Sequence, residues 1–198
     1  MKEYTISKTN GVPNWQNVPA LFIDNQHWCK PVDITAEAKL CYDENALYVL
    51  LSAKEAHIRA ENCGPLAAVY EDSCLEFFFS PIPGDLRYFN IEINPNGSYY
   101  LGYGTNRHNT IRFIPKKSPI DPKVSRTSDG WQVEYSIPWE FVWRFFPEFV
   151  PAPGKTIRAN CYKCGDCTVV PHYIAWNPIV IAQEDFHCPN EFGLMIFE

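Results

Sequence analysis

The chain has 198 residues, 46% of them hydrophobic and 15% aromatic, with 17 prolines against 10 glycines and a net charge of −6. This length and apolar content exclude disorder and fit one domain spanning residues 1–198. The negative charge argues against a nucleic-acid partner, because phosphate binding needs clustered Lys and Arg. No window is long and apolar enough to span a bilayer, so no membrane partner is expected. The opening MKEYTISKTNGVPNWQ has no apolar leader, so the expected location is the cytoplasm unless a leader has been removed.

Short extended runs then follow one another along the chain. They are ALFI (20–23), AEAKLCY (36–42), ALYVLLSA (46–53), CLEFFFS (74–80), YFNIEIN (88–94), SYYLGY (98–103), KVSRT (123–127), WQVEYSI (131–137), TIRANCYK (156–163), HYIAW (172–176) and GLMIFE (193–198). Between them lie YDENA, NPNG, TSDG and PAPG, rich in the residues that turns require. Only PWEFVWRFF (138–146) carries a helical period, with Pro138 suited to a first position. Many short strands with one short helix predict an all-β fold, a two-sheet antiparallel β-sandwich of jelly-roll type.

Alternation assigns the faces of the strands. Leu75, Phe77 and Phe79 oppose Cys74, Glu76 and Phe78; Phe89, Ile91 and Ile93 oppose Asn90, Glu92 and Asn94. Ile157, Ala159 and Cys161 oppose Arg158, Asn160 and Tyr162. Glu76 therefore belongs to an outward polar row with Asn90, Glu92 and Asn160. Such a row either faces water, as one side of most antiparallel sheets does, or binds something. Its Glu, Asn and Arg side chains are planar groups that bind paired hydroxyls in a bidentate fashion. A structural ion pair between Glu76 and Arg158 is a rival account of the same residues.

Eight cysteines in a chain this large need not be disulfide staples. In CYKCGDC, Cys161, Cys164 and Cys167 lack the second ligand pair that a structural zinc site uses, so they read as free thiols and no metal is expected.

VYEDSCLEFFF, YFNIEINPNGSYY, GWQVEYSIPW, HYIAWNP and DFHCPNEFGLMIF, in that order, resemble the carbohydrate-binding modules of family 9, within the wider DOMON-like group. The resemblance covers nearly the whole chain. It implies a β-sandwich that binds a mono- or oligosaccharide without cleaving it. It implies that two aromatic rings clamp the sugar, at the positions of Tyr70 and Trp176, with Glu76, Asn90, Asn160 or Tyr162, and Asn177 as polar contacts. Calcium is known in the family; no calcium loop is seen here and no cofactor is expected. Tyr70 stands where the family has Trp, and Asn90 where it has a basic residue.

Three other classes compete, one of them a purely structural domain with no ligand. A glycan-processing enzyme would use two carboxylates, drawn from Glu76, Glu92 and Glu134. A haem module of the DOMON type would need Met or His ligands, and Met195 is the one internal methionine.

Overall fold

The computed structural model describes residues 1–198. Its strands are β1 (Glu3–Lys8), β2 (Leu21–Ile23), β3 (Asn25–His27), β4 (Thr35–Tyr42), β5 (Ala46–Lys54), β6 (Cys74–Ser80) and β7 (Tyr88–Ile93). They continue with β8 (Tyr99–Asn106), β9 (Asn109–Arg112), β10 (Lys123–Arg126), β11 (Gly130–Pro138), β12 (Thr156–Gly165), β13 (His172–Ala175) and β14 (Gly193–Phe197). The helix α1 covers Trp139–Trp143 only. Pro147 disfavours helical geometry at the residue before it, which accounts for the early stop.

The strands join edge to edge in one curled mixed sheet, in the order β10-β11-β5-β4-β1-β14-β12-β6-β7-β8-β9. This differs from the expected pair of separate antiparallel sheets at one strand, β1. Its first residues, Glu3 to Ile6, pair in parallel with β14, and its last, Ser7 and Lys8, pair in parallel with β4. β1 thus links the two halves of the sheet. β1, β3 and β9 escape the sequence pattern because each has too few alternating apolar residues to register as a strand.

The curl brings β4, β5 and β11 face to face with β6, β7 and β12 across the main core. There Leu40, Val49, Leu51 and Trp131 meet Phe77, Phe79, Phe89, Ile91 and Ile157. The apolar rows point inward as alternation requires. One polar group of residues closes this core. Lys163 Nζ lies 2.7 Å from His172 Nε2 and 3.4 Å from a Glu55 carboxylate oxygen, and Trp131 Nε1 donates to Glu55 at 2.7 Å. Burial, then the Lys163 charge, lowers His172 to about 4.

The opposite faces of β6 and β7 are also covered, which alternation did not reveal. Every residue of both strands is buried. A second apolar cluster, with Val69, Phe78, Tyr88, Tyr162, Phe186 and Phe192, lies over them. Val69 comes from the segment before β6 and Phe186 and Phe192 from the one between β13 and β14, and they pack on Phe78, Tyr88 and Tyr162 of the strands themselves. The polar row of Glu76, Asn90, Glu92 and Asn160 is therefore not a water-facing row: all four are at most 5% exposed.

Candidate functional site

In register, Tyr162 of β12 faces Glu76 of β6, Glu76 faces Glu92 of β7, and Glu92 faces Tyr100 of β8. Two carboxylates directly opposite one another on neighbouring strands repel, an arrangement that stability alone does not favour. One rung along, Cys164 faces Cys74, so both thiols share the outer face with Glu76. Over this part of the sheet the covering segments leave a cavity of about 340 Å³.

Glu76, Glu92 and Cys164 line its floor, and Trp28, Tyr70, Tyr100, Tyr173 and Phe186 provide aromatic walls. Tyr70 stands on a single 3-10 turn, Val69–Glu71, that the buried Val69 pins down. The backbone carbonyl of Tyr70 accepts from the Asp166 N–H at 3.0 Å, which ties this wall to the turn after β12. Trp28 adopts φ 52°, a left-handed conformation rare for a bulky side chain and of the kind found at functional sites. Its indole N–H donates to Ile181 O at 3.0 Å, and its ring lies 5.9 Å from Phe186 and 6.2 Å from Tyr173. Arg112 sits 4.5 Å over the Tyr100 ring and donates to Ala67 O, bracing the far wall.

The cavity is rich in acids and poor in cations. Glu76 is raised well above the usual carboxylate value, by burial first, then by Cys164 and Glu92. Burial raises Glu92 to about 7, against a hydrogen bond from Asn90 and the charge of Arg112, which lower it. Asp166, also on the wall, is raised by burial. The one arginine of the lining, Arg107, is engaged with Asp185 at 3.3 Å. Burial lowers His187 to about 4, and its Nδ1 is 2.7 Å from the Tyr88 hydroxyl. These shifts keep protons on the carboxyls to higher pH than usual, and a protonated carboxyl donates as well as accepts hydrogen bonds.

The residues singled out in the sequence separate into two groups. Tyr70, Glu76 and Glu92 line the cavity. Asn90 lies behind Glu92 and donates to it at 2.8 Å. Tyr162 is fully buried beneath the wall, stacked on Phe186 at 4.1 Å, with its hydroxyl on Phe186 O. Arg158 does not pair with Glu76. It faces Ser80 in register and donates to the Phe192 and Asn190 carbonyls.

Asn160 and Asn177 bind one another. Asn160 Nδ2 donates to Asn177 O at 3.0 Å, and the Asn177 N–H donates to Asn160 Oδ1 at 2.8 Å. Asn177 also accepts from the Lys2 N–H, so this pair anchors the N-terminus. Trp176, expected as the second clamp ring, is 3% exposed and belongs to the main core, away from the cavity lining. The parity of its strand turns it inward, against the backbone of Gly193.

Trp28, Tyr100, Asp166 and Tyr173 were not singled out. Tyr100 alone had a visible signal, since it continues the Glu76–Glu92 rung into the SYYLGY strand. Gly102 is needed on the neighbouring rung, where it faces Asn90. A Cβ there would lie 1.9 Å from Asn90 Oδ1. Gly102→Ala should displace Asn90 from Glu92 and cost about 1–3 kcal/mol by overpacking, read as a lowered urea midpoint; an unchanged midpoint would show that Asn90 is free to move.

A family model described as carbohydrate-binding family 9 matches residues 10–197. A candidate carbohydrate-binding protein from Bacteroides uniformis superposes with a TM-score of 0.86 at 27% identity, covering 100% of this chain and 99% of that one. A carbohydrate-binding module of family 9 from Caldicellulosiruptor kristjanssonii in complex with glucose gives a TM-score of 0.71 at 16% identity, covering 100% and 96% of the two chains. The same module in complex with cellotriose gives 0.71 at 17%, covering 100% and 94%. Among curated proteins, polyphenol oxidase 3 of Agaricus bisporus is 30% identical over 83 residues, 39% of this chain and only 14% of that protein's length.

Proposed function

The chain belongs to carbohydrate-binding family 9, and from that premise we propose that it holds a saccharide, uncleaved, in the cavity above β6, β7 and β12. One observation carries the reading. Glu76 and Glu92 are buried at the floor of a cavity walled by aromatic rings. A pyranose offers apolar C–H faces that rings can cover and a rim of hydroxyls that buried carboxyls can bind. The volume, about 340 Å³, sits near the lower end of the range for small-molecule sites and suits one or two sugar rings.

Glu76 and Glu92 project side by side from one sheet face. Binding without hydrolysis is the reading that the family match supports. Met195, the methionine considered for haem, is fully buried in the main core.

The test is a thermal-shift and calorimetric screen of mono- and oligosaccharides, beginning with glucose and cello-oligosaccharides. A saturating sugar should raise the melting temperature, as any ligand of the native state does. It should also change tryptophan emission through Trp28. Trp28→Ala should weaken binding about tenfold or more with little change in the fold. A broad screen with no shift, or full affinity in Trp28→Ala and Tyr100→Ala alike, would overturn the assignment.

A further inference from the structure

We propose that Cys74, Glu76 and Cys164 form a binding site for a thiophilic divalent cation, zinc above all, on the floor of the cavity. The two sulfurs and a carboxylate oxygen lie within 4.8 Å of one another. In a tetrahedral zinc site, bonds of about 2.3 Å to sulfur and 2.0–2.2 Å to oxygen put ligand atoms about 3.5–3.8 Å apart. The three groups therefore need their separations to change by only about an ångström to close on an ion. Cys164 Sγ already lies 2.9 Å from Glu76 Oε1, nearer than a shared ion would hold them.

The backbone preorganises this set. Cys74 and Cys164 are directly opposed on neighbouring strands, and Glu76 follows two residues on, so all three side chains leave the same face. The sheet behind them is packed on the main core, and Phe78, Tyr162 and Phe186 give the site an apolar surround. In the sequence, CYKCGDC gave no zinc pattern because its cysteines part ways. Cys161 points into the main core and Cys167 is exposed, leaving Cys164 to meet a partner from a distant strand.

The Cys164 thiol also lies 3.8 Å from the Tyr70 carbonyl, a long contact. Glu76 receives one hydrogen bond, from the Cys164 thiol, a weak donor. A cation would take both thiolates and the carboxylate as ligands, their protons leaving to solvent. Three protein ligands leave one tetrahedral position. It opens on the cavity, because Cys164 and Glu76 line the cavity while Cys74 lies behind them. That position suits a water or a ligand oxygen, the arrangement of an open rather than a purely structural site.

The experiment is a cobalt titration of the full chain, stripped with a chelator and kept reduced with a phosphine, followed by zinc displacement. The expected result is one cobalt ion per chain with the intense visible bands of four-coordinate, thiolate-bound cobalt, bleached by one equivalent of zinc. Glu76→Gln, which keeps the side chain's shape, should weaken cobalt binding at least about tenfold. Cys164→Ser should abolish the thiolate charge-transfer bands. A Cys63→Ser/Cys167→Ser variant, lacking the two exposed thiols, should keep them. Absent bands, or bands that persist in Glu76→Gln and vanish in the exposed-thiol variant, would overturn the proposal. Should Cys164→Ser fail to fold, as judged by circular dichroism, Glu76→Gln decides the matter alone.

Discussion

Trp176→Ala should cost about 3–5 kcal/mol of stability while leaving saccharide affinity within about threefold of the parent. The indole is 3% exposed and packs in the main core with Met195, Ile174 and the β12 residues. Removing it opens a cavity that strands fixed on both sides cannot close. The neighbouring backbone shows how tight the fit is. A Cβ on Gly193 would lie 2.5 and 2.8 Å from the indole and 3.1 Å from Lys2 O. Since whole domains are stable by only about 5–15 kcal/mol, this one truncation should lower the melting temperature sharply. Chemical denaturation and calorimetric titration on the same sample separate the two quantities. Normal stability with lost binding would return Trp176 to the ligand and remove it from the core.

Replacing Glu92 by Gln should change how stability responds to pH by about 3 kcal/mol between pH 4.5 and 8. Burial raises this carboxyl from 4.5 to about 7. The folded state therefore keeps a proton that the unfolded chain gives up. The stability tied to that proton is complete below about pH 4.5 and is lost as pH rises to about 7. Glutamine stays neutral throughout and can still accept the Asn90 hydrogen bond, so the variant should gain on the parent as pH rises. His172 and His187, both lowered to about 4, act in the opposite sense, losing stability as pH falls from about 6.5. They are present in both proteins and cancel in the comparison. Urea midpoints at pH 5 and pH 8 give the answer; parallel shifts in the two proteins would mean that Glu92 is ionised throughout.

Local regularity was readable from the sequence, and long-range covering was not. The alternation of Leu75, Phe77 and Phe79 against Cys74, Glu76 and Phe78 correctly separated two faces, because side-chain direction has a strict period of two. What lies over a face depends on distant segments. The stretch between β13 and β14 has no period to read, yet it supplies Phe186 and Phe192, which bury the polar row. Glu76 and Glu92 sit on well-patterned strands, so their shared row was readable from alternation, whereas Tyr70 was named only through the family resemblance. Trp28 escaped because its left-handed backbone in a turn leaves no repeating signal. Asn160 and Asn177 have the chemistry of sugar ligands, but the Asn160 amide is spent on the Asn177 backbone and the Asn177 amide on Lys2, Pro178 and Glu191.

The junction made by β1 bears on how the molecule assembles. Its parallel pairing with Gly193–Phe197 joins segments from opposite ends of the chain. During synthesis β1 emerges long before β14 and waits, with one edge open, for that partner. The two halves of the sheet are not bridged until that partner arrives, so closure is a late, long-loop event of the sort that slows folding and exposes strand edges. The open edge of β1 stays exposed while all the strands between it and β14 are made, and holding by chaperones would matter most in that interval.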